Sequence, residues 1–100
     1  MGDMDIWVTG IGIVSPLGIG AEVTMDALTA GKRAFGPLSL FELAGCRSTL
    51  AAEVPDLAVD KVAPPGQAAR WSRTDAMAVL AADEAMLQAG LDPKQATTEL

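Results

Sequence analysis

Apolar residues follow one another almost unbroken from Ile6 through Trp7, Val8, Ile11 and Ile13 to Val14. Unbroken rather than alternating apolarity predicts a strand covered on both faces, of the kind found in the middle of an α/β sheet. Ser15-Pro16-Leu17-Gly18 ends it, because proline has no N–H to give to a ladder. The period then changes. Val23, Ala27, Leu28 and Ala30 place a loose apolar face on a helix predicted over residues 21–30. Gly31 stops it, and Lys32 and Arg33 lie beside its negative end. Residues 34–70 show little periodicity and are interrupted by Gly36-Pro37, Gly45, Pro55 and Pro64-Pro65-Gly66. One short strand, residues 50–54, is expected there, ended by Pro55. Stretches this long without regular structure usually carry function or move.

The clearest element is a helix over residues 72–89, about 27 Å long at the α-helical rise. Ser72 and Asp75 have capping-box spacing, Gly90 provides the stop and Pro93 blocks continuation. Met77, Val79, Leu80, Ala81, Ala82, Ala85, Met86 and Leu87 surround most of this helix, which predicts burial on more than one side. Asp83 and Glu84 read as its wet edge.

Composition narrows the class. The chain has 100 residues, the size of one ordinary domain, and half of them are hydrophobic, which argues against disorder. Glycine and alanine are abundant and aromatics few, so backbones can approach closely. Seven basic against thirteen acidic residues leave a net charge of −6, a poor balance for neutralising nucleic-acid phosphates. The single Cys46 excludes an intramolecular disulfide and fits a reducing compartment. MGDMDIWV has no basic region before its apolar run, so no secretory signal is read, and Ile6 stands where a myristoylation motif needs Ser or Thr. The longest apolar window, residues 6–19, is cut by Pro16 and three glycines and falls short of the roughly 20 residues of a membrane span. A cytoplasmic protein without membrane or nucleic-acid partners is expected.

Catalytic chemistry is thin. The chain has no histidine, which excludes a Ser-His-Asp or Cys-His site within it and removes the usual nitrogen ligands of zinc. No catalytic residue, metal or cofactor is expected. Cys46, in Ala44-Gly45-Cys46-Arg47, lacks an activating base and reads as an incidental loop thiol. Ser15 reads as a hydroxyl that bonds turn backbone.

The stretch VTGIGIVSPLGIG, residues 8–20, invites comparison with a dinucleotide loop. A G-x-G-x-x-G fingerprint fails at its third glycine, both from Gly10 and from Gly18. Pro16 and Leu17 lengthen the gap between strand and helix, and no acidic residue ends a second strand at the required distance. No Gly-Lys-Ser or Gly-Lys-Thr occurs, so a P-loop is excluded. The simpler reading is structural. Gly10 and Gly12 let another backbone approach the strand, while Pro16, Gly18 and Gly20 make the turn.

These residues carry a resemblance. VTGIGIVSPLGIG, a short helix ending in Ala30-Gly31-Lys32, then Gly36-Pro37-Leu38 and Phe41, resembles the start of a β-ketoacyl–acyl carrier protein synthase. Ala51-Ala52-Glu53-Val54-Pro55 and the helix from Arg70 to Gly90 continue the likeness in order. The opening motif is fairly specific, and the order of the weaker matches adds to it. The resemblance implies an α/β chain that is an incomplete N-terminal half of the layered αβαβα thiolase-like fold. Residues 1–100 would then be a partial domain, ending before the elbow that bears the nucleophile.

Family members join an acyl chain, held as a cysteine thioester, to a malonyl unit on acyl carrier protein, with loss of carbon dioxide. Their nucleophilic cysteine, two histidines and a lysine would lie beyond this chain, whose own role would be structural. The resemblance implies a carrier-protein partner, with Arg70 and Arg73 as candidate contacts and Lys61 as a weaker third. Ala69, Trp71 and Ser72 depart from the family's more basic pattern in that segment. It also implies a dimer, either of identical synthases or of a synthase with a chain-length factor, in fatty-acid or polyketide synthesis. Two alternatives stay open: the opening of a catalytically inactive chain-length factor, or a free-standing non-catalytic module.

Overall fold

The computed structural model describes residues 4–40, 45 and 47–92, so Cys46, Phe41 and Pro93 lie outside the described residues. Chain order gives β1 (Val14–Ser15), β2 (Gly18–Ile19), α1 (Ala21–Thr29), β3 (Gly36–Pro37), β4 (Leu50–Ala51), α2 (Val59–Val62), a 3-10 turn at Ala68–Arg70, and α3 (Arg73–Gln88). β1 and β2 form an antiparallel hairpin, with Val14 opposite Ile19 and Ser15 opposite Gly18. β3 and β4 form a second antiparallel pair, with Gly36 opposite Ala51 and Pro37 opposite Leu50. The chain is thus a mixture of helices and short strands.

Both long helices end as their sequences dictate. Gly31 follows α1 and Gly90 follows α3 with φ of 74° and 81°, a left-handed conformation that glycine adopts without a Cβ penalty. Lys32 N–H donates to Ala27 O at 2.9 Å, and Leu91 N–H donates to Met86 O at 2.8 Å. Each closes the six-to-one bond of a Schellman motif. At the start of α3, Ser72 Oγ accepts from Asp75 N–H at 3.1 Å and Ser72 N–H donates to Asp75 at 2.8 Å. The short aspartate therefore completes a capping box in place of the more usual glutamate. Ser72→Ala is expected to cost about 1 kcal/mol of stability, read as a lower urea midpoint at unchanged slope.

Four expectations need correction, the fourth being the burial of α3, taken up with the core below. The strand read over residues 6–14 enters a ladder only at Val14. Ile6, Trp7 and Val8 are 92%, 78% and 81% exposed. The residue pattern is that of a covered strand, yet the described residues provide no neighbouring strand to cover it. The strand read over residues 50–54 stops at Ala51. Beyond it, Glu53 and Val54 bond other parts of the chain, the Glu53 carboxylate accepting from the Ser39 and Leu40 amides and Val54 O accepting from the Arg73 side chain. Glu84 is not the wet edge of α3; it turns inward, as described below. The partner strand β3, the four-residue α2 and the 3-10 turn at Ala68–Arg70 were not legible, being too short for periodicity to show.

Burial is sparse. Among the described residues, the buried ones are Gly18, Ala27, Ala63 and Ala76, with Thr24 as the buried polar one. α2 packs against α3, and α1 and α3 both pack against β1. The radius of gyration is 17.2 Å, against about 13 Å for a self-contained domain of this length. α3, read as buried on several sides, has Ala76 fully buried but leaves Leu87 67% exposed.

Candidate functional site

The best-organised part of the molecule lies where the glycine-rich stretch meets α3. A Cβ on Gly10 would run into Ala85 O, and would stand 2.9 Å from Ala85 C and 3.1 Å from Ala89 N. A Cβ on Gly12 would run into Ala81 O, and would stand 2.6 Å from Ala81 C. Two glycines two apart therefore meet two alanines four apart, backbone on backbone. Between these contacts, Ile11 N–H donates to Gln88 Oε1 at 2.7 Å and Ile13 N–H donates to Glu84 Oε1 at 2.8 Å. Alternate residues of the segment thus face α3 through a bare backbone or through an N–H, the two-residue period of an extended chain. The partners on α3 fall in number as those on the segment rise, so the two run antiparallel.

Glu84 makes a third connection. Its Oε2 accepts from Ala21 N–H, the first amide of α1, at 2.8 Å. Gly20 at the N-cap has no side chain to do this. A carboxylate from another helix thus caps α1, where its charge also suits the positive end of the helix dipole. These bonds, that from Ala21 first and that from Ile13 second, hold the Glu84 carboxyl below the ordinary glutamate value against an opposing desolvation.

The turn between β1 and β2 carries Pro16 and Leu17. Ser15 Oγ accepts from Leu17 N–H at 3.2 Å, lies 3.3 Å from Gly18 O, and shares a 2.7 Å hydrogen bond with Thr24 Oγ1. The Ser15 hydroxyl is therefore occupied by turn backbone and by α1. Gly18 has a φ of 154°, and a Cβ there would run into Val23 Cγ1.

A second carboxylate organises the middle of the chain. Glu53 accepts from Ser39 Oγ at 2.7 Å, from Ser39 N–H at 3.2 Å and from Leu40 N–H at 3.1 Å. The Ser39 hydroxyl leads in holding Glu53 below the ordinary glutamate value, desolvation opposes it, and the two amides and the charge of Arg73 assist.

The three basic candidates do not share one situation. Arg70 and Lys61 are exposed, on the 3-10 turn and on α2. Arg73 is half-buried and donates through Nη2 to Val54 O at 2.9 Å, so it ties the start of α3 to the end of the β4 segment. Sequence reasoning took Glu84 for a solvated edge and missed Gln88 altogether. Their only available signal was a polar pair four apart, which on a helix more often marks a solvated face.

Among the described residues, no group of three or more His, Cys, Asp or Glu could hold a metal ion, and no helix is long and apolar enough to cross a membrane.

Comparison with known proteins places this arrangement in context. The family model described as "Beta-ketoacyl synthase, N-terminal domain" matches residues 3–99. The chain is 38% identical over 92 residues to the tetracenomycin polyketide synthase ketoacyl synthase alpha subunit of Streptomyces glaucescens, covering 92% of this chain and 22% of that protein. It is 37% identical over 92 residues to nodulation protein E of a Rhizobium species, covering 89% of this chain and 22% of that protein. With the actinorhodin polyketide putative beta-ketoacyl synthase 2 of Streptomyces coelicolor it shares 29% identity over 94 residues, covering 94% of this chain and 23% of that protein. The chain therefore spans about a fifth of the length of the curated relatives it matches.

Proposed function

The chain belongs to the β-ketoacyl synthase N-terminal domain family, and from that premise we propose that it forms the opening of a β-ketoacyl–acyl carrier protein synthase of polyketide synthesis. The 38% identity with a ketoacyl synthase alpha subunit, over 92% of this chain, carries the reading. The whole protein would catalyse decarboxylative condensation of an acyl thioester with a malonyl unit on acyl carrier protein. It would adopt the layered αβαβα fold, act as a dimer with itself or with a chain-length factor, and work in the cytoplasm. The condensing chemistry needs a thiolate nucleophile and groups that stabilise an enolate and its oxyanion. This chain has no histidine, and its single cysteine is Cys46. The catalytic histidines would therefore belong to residues outside these 100, as would the cysteine and lysine that the family resemblance implies, and the role of this segment would be to build.

What it builds follows from the geometry. α3 fixes the glycine segment and, through Glu84, the start of α1. The exposed Ile6, Trp7 and Val8 are apolar enough to sit inside a sheet and support the reading that neighbouring strands come from the rest of the protein. Expression of the whole coding sequence alongside the 100-residue chain tests this. Condensation of malonyl-loaded carrier protein is expected from the former and none from the latter. Product from the 100-residue chain alone would overturn the structural role assigned to it.

Carrier-protein docking is proposed at Arg70 and Lys61, which are exposed. Arg73 is the weaker candidate, because its guanidinium already holds Val54. Reversing charge in the double variant Arg70→Glu, Lys61→Glu is expected to weaken carrier binding about tenfold at low salt, chiefly through the association rate, with the effect shrinking as salt rises. Unchanged binding at low salt would remove both residues from the dock.

A further inference from the structure

No further inference is drawn: the strongest candidate, the apolar groove of about 380 Å³ between α1 and the chain that follows it, lined by Leu17, Leu28 and Phe35 with Lys32 and Arg33 alongside, has nothing in the structure to show what covers it.

Discussion

Gly12→Ala is expected to lower the stability of the protein by about 3 kcal/mol or more, at the upper end of what an added methyl group costs in a tightly packed site. The new Cβ meets main chain, since the atoms in its way are the carbonyl carbon and oxygen of Ala81 and its Cα, 3.0 Å off. A flexible side chain could rotate aside, but an α-helical carbonyl cannot without breaking its own hydrogen bond. The segment and α3 must therefore separate, and the bonds from Ile11 to Gln88 and from Ile13 to Glu84 lengthen with them. Gly10→Ala meets Ala85 in the same way and is expected to behave alike. Gly36→Ala is the control. Nothing stands within 4 Å of a Cβ there, so a change under about 1 kcal/mol is expected. Equal midpoints for Gly12→Ala and Gly36→Ala in urea would refute close packing against α3.

Glu84→Gln is expected to destabilise the protein at neutral pH and to flatten its acid limb. The carboxylate accepts from two amides that belong to different elements. The amide side chain can accept with its oxygen only, so its NH2 is turned toward one of those N–H groups. The sign of the pH effect follows from the lowered pKa of Glu84 in the folded protein. Its contribution is fully present above the ordinary glutamate value of about 4.3 and is lost as pH falls through the lower folded value, because the unfolded chain binds the proton first. Glu53 is lowered in the same direction, so part of the acid limb persists in the variant. Urea midpoints at pH 7 and near pH 3 measure both effects. An identical pH dependence in Glu84→Gln and the parent would show that the carboxylate does not bridge Ile13 and the start of α1. Hydrogen exchange adds a local readout, with Ile13 and Ala21 amides losing protection together.

Elements whose signal is local were legible in the sequence. α3 announced itself through Ser72, Asp75 and Gly90, because caps and stops act through backbone groups a few residues away. α1 was placed to within one residue for the same reason. The strand pattern of residues 6–14 was read from burial that the described residues do not supply, so its apolar run speaks of neighbours rather than of local conformation. The strand read over residues 50–54 begins where β4 does but runs too long, whereas its partner β3 is two residues and exists only by pairing with β4, which no local rule detects. Glu84 was misread because one-face arithmetic on a helix assumes that charge seeks water. Orphan amides of an extended segment and a helix start are an equally good partner, and which applies depends on what lies across the helix. Arg73 shows the same limit: as a basic residue near a helix start it looked like Arg70, yet Val54 O was waiting 2.9 Å away.

The antiparallel contact of Gly10 and Gly12 with Ala85 and Ala81 works like a vernier. Two residues of extended chain advance about 6.6 Å, while four residues of helix advance about 6.0 Å. The scales agree over one step, which is why Gln88 and Glu84 can both reach their amides, and drift apart by about 0.6 Å with each further step. Such a match fits only briefly, and it fits at one setting. Sliding the segment by a single residue would turn the branched side chains of Ile11 and Ile13 onto the helix backbone where the glycines now lie. The fit thus acts as a zero mark on the chain, from which the positions of the hairpin and of α1 are measured.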